Sequence, residues 1–205
     1  MPYTLRPMEP GDIPVVAAID RLSFPTPWSA AAFRRELKRG HTHYYVLLRP
    51  RGAERRSSQR GWRGRLHGLL DLVGRSRIVG YAGFRQEGRE GHITTIAVHP
   101  DWRGLGLGEL LLWVGLQKMV IWGVDEATLE MRPSNEVAFR LYQKYGFDVE
   151  ARRYGYYQDG DDAWVMAVDV GGDEYGQLLA ERRQALMQRL RREQIEVGQN
   201  GDDHL

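Results

Sequence analysis

The chain has 205 residues, 42% hydrophobic and 27% charged, enough for one core with some material outside it. Cysteine is absent, which excludes a disulfide framework, a cysteine-ligated zinc or iron–sulfur site, and a cysteine nucleophile. The formal net charge of +2 conceals an asymmetry: Arg49–Arg77 holds nine arginines against Glu54 and Asp71, a local +7 that leaves −5 elsewhere.

Tyr3–Arg6 alternates like a short strand, closed by Pro7 and Pro10-Gly11. Asp12 is the expected N-cap of a helix carrying Pro14 in its first turn and an apolar stripe of Val15, Ile19 and Leu22. Phe24-Pro25-Thr26-Pro27-Trp28 reads as a stiff turn, and Ser29 can cap a second helix over Ala30–Arg39. Tyr44–Leu48 reads as a buried strand.

Arg49–Ser76 has little periodicity apart from a possible apolar face on Gly61–Gly74, and it stands where a hairpin needs only a few residues, so it reads as an insertion. Strands follow at Arg77–Arg85 and His92–Val98, joined by a turn over Gln86–Gly91. A glycine-rich loop then opens a helix over Gly106–Trp122. Next come a strand Ala127–Arg132, a helix Glu136–Tyr145 ended by Gly146, and strands Phe147–Arg153 and Ala163–Val170 with an Asp159-Gly160 turn between them. A charged helix over Glu174–Arg192, with a thin stripe of Leu179, Leu186 and Leu190, precedes a polar tail.

The order implies an α/β (α+β) fold, a mixed and mostly antiparallel sheet with helices on both faces. The expected division is a domain over 1–170, with the basic insertion at about 49–77, and a charged helix with its tail over 171–205. The longest apolar stretch, Leu110–Leu116, is too short to span a bilayer. Residues Met1–Asp12 carry Glu9, Asp12 and three prolines where a secretory leader needs an apolar run, so the cytoplasm is the expected compartment.

Arg103-Gly104-Leu105-Gly106-Leu107-Gly108 joins a β-branched strand to an apolar helix. Unpaired N–H groups and the helix dipole make such a junction attractive to an anion, glycines allow close approach, and Arg103 adds charge. A Walker A loop is excluded because no lysine follows these glycines. A dinucleotide fingerprint fails because its third glycine would fall on Glu109 or Leu111.

The segment from His92 through this loop to Leu111 resembles the acetyl-CoA-binding segment of GCN5-related N-acetyltransferases, whose R/Q-x-x-G-x-G/A loop is matched by Arg103, Gly106 and Gly108. Leu129–Asn135, Ala138–Tyr142 and Tyr145-Gly146-Phe147 resemble the second half of that fold. Phe24–Ser29, the Glu130-to-Tyr142 spacing and Arg152–Tyr157 with Asp162-Ala163 are similar to the RimI type, the ribosomal-protein alanine N-acetyltransferases. The resemblance covers about Tyr3–Val170, apart from the insertion.

It implies acetyl-CoA as co-substrate and no metal. Co-substrate contacts are expected from Ile96, Ala97 and Val98, from Arg103, Gly104, Leu105, Gly106, Leu107, Gly108 and Glu109, and from Asn135. Glu130 matches the base and Tyr142 the proton donor to the leaving thiolate, with His92 a minor alternative that could relay a proton through water. Phe24, Pro25 and Thr26 on one side and Tyr156 and Tyr157 on the other are expected to flank an entering peptide N-terminus. His41 and His43 have no third ligand nearby in sequence and read as loop residues.

The implied activity is Nα-acetylation of a ribosomal-protein N-terminus, on alanine. Acetylation of a lysine side chain or a small-molecule amine is the alternative within enzymes. A non-catalytic ribosome- or nucleic-acid-binding protein using the basic insertion is the alternative in a different class.

Overall fold

The computed structural model describes residues 3–50 and 76–199. Seven strands form one sheet: β1 (Thr4–Pro7), β2 (Thr42–Leu48), β3 (Ile78–Glu87), β4 (Glu90–Val98), β5 (Glu126–Met131), β6 (Asp148–Arg153) and β7 (Ala163–Asp169). Their spatial order is β1-β2-β3-β4-β5-β7-β6, and only the β4–β5 pair is parallel. The mixed, mostly antiparallel α/β architecture is therefore as expected.

The central strands are buried on both faces, and their period of two sorts side chains between two cores. Val46, Ile78, Tyr81 and Ala97 join α1 (Ile13–Ser23) and α2 (Ala30–Glu36) on one face. Leu47, Val79, Ala82, Ile93, Val98, Leu129 and Met131 join the larger core on the other face, packed with α3 (Leu107–Ile121), α4 (Glu136–Lys144) and α5 (Asp173–Gln199). The stripe of α5 is part of that core: Leu179, Leu186 and Leu190 are all buried, and Trp113 Nε1 donates to the Leu179 carbonyl at 2.9 Å.

Three local expectations are refined. Asp12 stands at the N-cap position of α1, as expected, but its side chain makes no capping bond to that helix. It ends a 3₁₀ turn over Pro10–Asp12, accepts the Glu9 N–H at 2.8 Å and pairs with Arg6 at 2.6 Å, because the turn itself places the carboxylate back over Glu9. The β3–β4 turn is tighter than Gln86–Gly91, since both strands continue to Glu87 and from Glu90, with Gly88 at φ 60°. The second helix stops at Glu36, although Ser29 does cap it, Oγ accepting from the Ala32 N–H at 3.2 Å.

The insertion, Gly61–Gly74 included, lies outside the described residues, but its flanks are fixed. The Arg49 N–H donates to the Arg77 carbonyl at 2.8 Å, and Arg77 Nη2 returns to the Arg49 carbonyl at 2.7 Å. The chain therefore leaves β2 and re-enters β3 at adjacent points.

Candidate active site

Pairing between β4 and β5 runs only from Glu90↔Glu126 to Ile93↔Leu129, while β4 continues to Val98 and β5 to Met131. The β3–β4 register slips between Gly83 and Phe84, leaving Thr94 as an extra residue on β4. A bulge bends its strand, and this one stands where β4 parts from β5. The Thr94 hydroxyl at the bulge is buried without a hydrogen-bond partner among the described residues. The sheet thus opens into a gap between its two parallel strands.

Beyond Ile93, β4 turns backbone groups toward that gap. The His99 N–H donates to the Val79 carbonyl, so by alternation Ala97 bonds toward β3 while Ile96 and Val98 face the open side. Of the three strand residues expected to meet the co-substrate, Ile96 and Val98 present their main chain to the gap and Ala97 does not. The Val98 carbonyl already accepts Arg103 Nε at 3.0 Å, and Arg103 Nη2 donates to Ser23 Oγ at 3.0 Å. The Arg103 guanidinium therefore ties the loop to the strand and to α1.

The loop suits a phosphate. Gly104 and Gly106 take φ of 80° and 78°, conformations that glycine adopts without strain, and Gly106 is the N-cap of α3. The first intrahelical bond there runs from the Leu110 N–H to the Gly106 carbonyl at 3.0 Å, so the N–H groups of Leu107, Gly108 and Glu109 have no acceptor within the helix. The Glu109 side chain is not part of this cradle. Its buried carboxylate accepts from Lys144, from Arg189 at 2.5 Å and from the Tyr145 hydroxyl at 3.2 Å. Burial pushes its pKa up, but Lys144 and Arg189 outweigh that and hold it below the ordinary carboxylate range.

On the α1–α2 face of the gap stands an acid–base cluster. His92 and Thr128 are register partners, and Glu130, two residues on from Thr128, projects from the same face of β5. His92 Nδ1 lies 3.0 Å from Thr128 Oγ1 and Nε2 lies 3.2 Å from Glu130 Oε2. Arg153 Nη1 reaches Glu130 Oε1 at 2.9 Å. The His92 hydrogen bond, opposed by burial and reinforced by Arg153 and Arg85, keeps Glu130 below the usual carboxylate range. Glu130 is thus an ionised carboxylate at neutral pH.

The β6–β7 loop closes over this cluster. Tyr156 and Tyr157 meet edge to face with centroids 5.1 Å apart, and Arg153 lies 5.6 Å from the Tyr156 ring. Burial and then the negative field of Glu130 raise the Tyr156 phenol. Arg132 stacks on Tyr157 at 3.9 Å and grips Asp159 at 2.8 Å and Asp161 at 2.5 Å, so one guanidinium pins the loop to β5. Tyr142, on α4, belongs to the other face and packs 5.8 Å from the Phe147 ring. Burial, with the field of Tyr157 adding, pushes its phenol up to about 12. Asn135 is exposed and caps α4, its Oδ1 accepting from the Ala138 N–H at 3.2 Å, which leaves its NH₂ end to meet a ligand.

Phe24, Pro25 and Thr26 lie on the α1–α2 connection. A residue that the sequence did not flag anchors it: buried Asp20 accepts the Trp28 N–H at 2.5 Å and the Tyr81 hydroxyl. Tyr81 Oη is in turn 3.4 Å from Thr95 Oγ1 on β4. Arg153 and Arg132 were also without an assigned role, because both act through partners distant in sequence. Among the described residues no group of histidines and acids could hold a metal ion.

Residues 16–147 match the Acetyltransferase (GNAT) family. The chain belongs to this family. It is an acetyltransferase. It is 35% identical over 150 residues to the N-alpha-acetyltransferase RimI of Mycobacterium tuberculosis, covering 71% of this chain and 77% of that one. A candidate [ribosomal protein bS18]-alanine N-acetyltransferase of Bacillus subtilis is 29% identical over 167 residues, covering 81% of this chain and 95% of the relative. The crystal structure of the ribosomal-protein-S18-alanine N-acetyltransferase from Escherichia coli superposes with a TM-score of 0.64 at 25% identity, covering 83% of this chain and 95% of that one. Helix α5 begins after the residues matched to the GNAT family end.

Proposed function

We propose that the enzyme acetylates the α-amine of a protein N-terminus, and that its target is the N-terminal alanine of a small-subunit ribosomal protein. The observation that carries the reading is the position of ionised Glu130 at the mouth of the β4–β5 gap, beneath the Tyr156–Tyr157 loop. The names of the Mycobacterium, Bacillus and Escherichia relatives support the same substrate class.

Acetyl-CoA supplies an acetyl thioester whose carbonyl carbon accepts the amine and whose thiolate leaves. The N–H groups of Leu107, Gly108 and Glu109 would hold its phosphates, and the Ile96 and Val98 main chain its pantetheine arm. On the opposite side, an α-amine has a reference pKa of about 7.7–8.0, so much of it is already neutral near pH 7.5. Glu130 needs only to attract the ammonium form and accept its proton, directly or through water. Tyr142, whose phenol remains protonated at neutral pH, gives a proton to the sulfur as the carbon–sulfur bond breaks. Phe24–Thr26, fixed from below by Asp20, and the tyrosine pair would bracket an extended backbone.

Incubation with acetyl-CoA and a panel of peptides tests this. The panel holds free N-terminal Ala, Ser, Met and Gly peptides, an N-blocked peptide with one lysine, and a polyamine. Mass-spectrometric location of the acetyl group on the α-amine, with Ala preferred, is the expected result. Modification of the lysine or the polyamine alone would overturn it.

A further inference from the structure

Helix α5 brings a cation to the co-substrate loop from 80 residues away in sequence. The Arg189 guanidinium lies against Gly106: a Cβ built on that glycine would stand 2.9 Å from Arg189 Nε and 3.0 Å from Cζ. Two anchors hold it there. The leucines flanking it, Leu186 and Leu190, are buried in the main core, and its Nη2 donates to Glu109 Oε2 at 2.5 Å.

A purely structural role, that of partner to Glu109, does not account for the charge. Glu109 already accepts from Lys144 and from the Tyr145 hydroxyl. Adding Arg189 sets two cations on one buried carboxylate and leaves a surplus positive charge beside three helix-start N–H groups. The Arg189 side chain is 45% exposed, and a guanidinium has five N–H donors, of which Glu109 engages one. A second anion, brought by a ligand, would balance the corner.

We propose that Arg189 is a phosphate ligand of acetyl-CoA, so that α5 completes the co-substrate site. The proposal rests on the assignment of acetyl-CoA to the Arg103–Gly108 loop. Both the pyrophosphate and the 3′-phosphate of CoA offer the required oxygens, and a charge-assisted contact to either suits a guanidinium.

The test is calorimetric binding of CoA, 3′-dephospho-CoA and acetyl-pantetheine to the full chain and to Arg189→Ala, Arg189→Gln and Arg189→Lys. Expected are CoA binding weakened about tenfold or more in the Ala and Gln variants, partial recovery with Lys, and unchanged affinity for acetyl-pantetheine. A loss that persists with 3′-dephospho-CoA assigns the contact to the pyrophosphate, and one that vanishes assigns it to the 3′-phosphate. Wild-type affinity for CoA in the folded variants would overturn the proposal. Equal losses for CoA and acetyl-pantetheine would do the same, since they would mean that the loop had merely lost its support. If the wild-type chain itself failed to bind CoA, the co-substrate assignment would fall first and this proposal with it.

Discussion

Glu130 and Tyr142 stand on opposite faces of the sheet. Leu129 and Met131 turn into the larger core with Tyr142, so Glu130 between them faces the α1–α2 side with His92. The β4–β5 gap connects the two sides, because pairing stops at Ile93↔Leu129, one residue short of Glu130. A thioester threaded from the α3–α4 side and an amine arriving from the other side would meet there. In the roles proposed for them, Glu130 would meet the amine on one side of the gap and Tyr142 the sulfur on the other.

The ionisation of Glu130 can be tested without activity. His92 is the largest cause of its depressed pKa, and Arg153 contributes less. His92→Ala should therefore raise the Glu130 titration midpoint more than Arg153→Ala does, as read by carboxyl ¹³C NMR. The reverse order, or no shift in either variant, would refute the cluster as described.

Asp20 secures the α1–α2 connection that carries Phe24–Thr26. Asp20→Ala removes the acceptor of the Trp28 N–H and leaves the buried Tyr81 hydroxyl only its long contact to Thr95 Oγ1, a loss of about 1–3 kcal/mol in all. The expected outcome is a lower melting temperature and a raised KM for peptide, with KM for acetyl-CoA much less altered. If both constants rose together, the connection would not be specific to the peptide side.

Which parts of this were legible in the sequence follows from the range of the interactions. Periodicity marks strands and helices because burial repeats every 2 or 3.6 residues, and the buried stripe Leu179, Leu186, Leu190 follows that rule. The glycine loop is a local pattern, whereas the Glu130-to-Tyr142 spacing carries meaning only through the resemblance to RimI-type sequences. The Glu109 carboxylate was not legible: next to a glycine loop it resembles a ligand residue, and only tertiary packing brings Lys144 and Arg189 to it. Arg153 on Glu130, Asp20 under Trp28 and the Thr94 bulge likewise depend on register or on contacts with no signature in spacing.

The Glu109 network sets a pH dependence whose sign is fixed. A carboxylate with a depressed folded-state pKa stabilises fully above its ordinary value of about 4.3 and loses that contribution as pH falls through the depressed value. Glu109→Gln should therefore destabilise the protein at pH 7, by about 1–3 kcal/mol for the charged hydrogen bonds lost. The difference from wild type should narrow below about pH 4. A difference that stayed constant from pH 7 to pH 3 in denaturant titrations would contradict it.

Adjacent exit and re-entry at Arg49 and Arg77 make the insertion separable from the sheet. Deleting Arg51–Arg75 and closing the ends with a short Gly-Ser turn should leave the melting temperature and the acetylation of a short peptide largely unchanged, because shorter closure costs less entropy. Loss of activity on the free peptide would place the insertion in the site. Loss confined to ribosomal protein or particles would assign it to docking.

The two proton transfers provide the last and most direct test. Glu130→Gln keeps the shape of the side chain and removes the acceptor, while Tyr142→Phe keeps the ring packed against Phe147 and removes the donor. Each role is typically worth about 10²–10⁴-fold in rate. Because Glu130 is held below the ordinary carboxylate range, its own titration should not bend the wild-type profile between about pH 6 and 9, where the α-amine ionises. In Glu130→Gln the deficit in kcat/KM should grow toward the acidic end, as more substrate arrives protonated with no carboxylate to attract it. Tyr142→Phe should lower kcat at every pH in that window, since a phenol pushed up to about 12 stays protonated throughout, with CoA affinity retained. Wild-type rates in both folded variants across the window would remove Glu130 and Tyr142 from the chemistry, and His92 would then be the group to test as the acceptor.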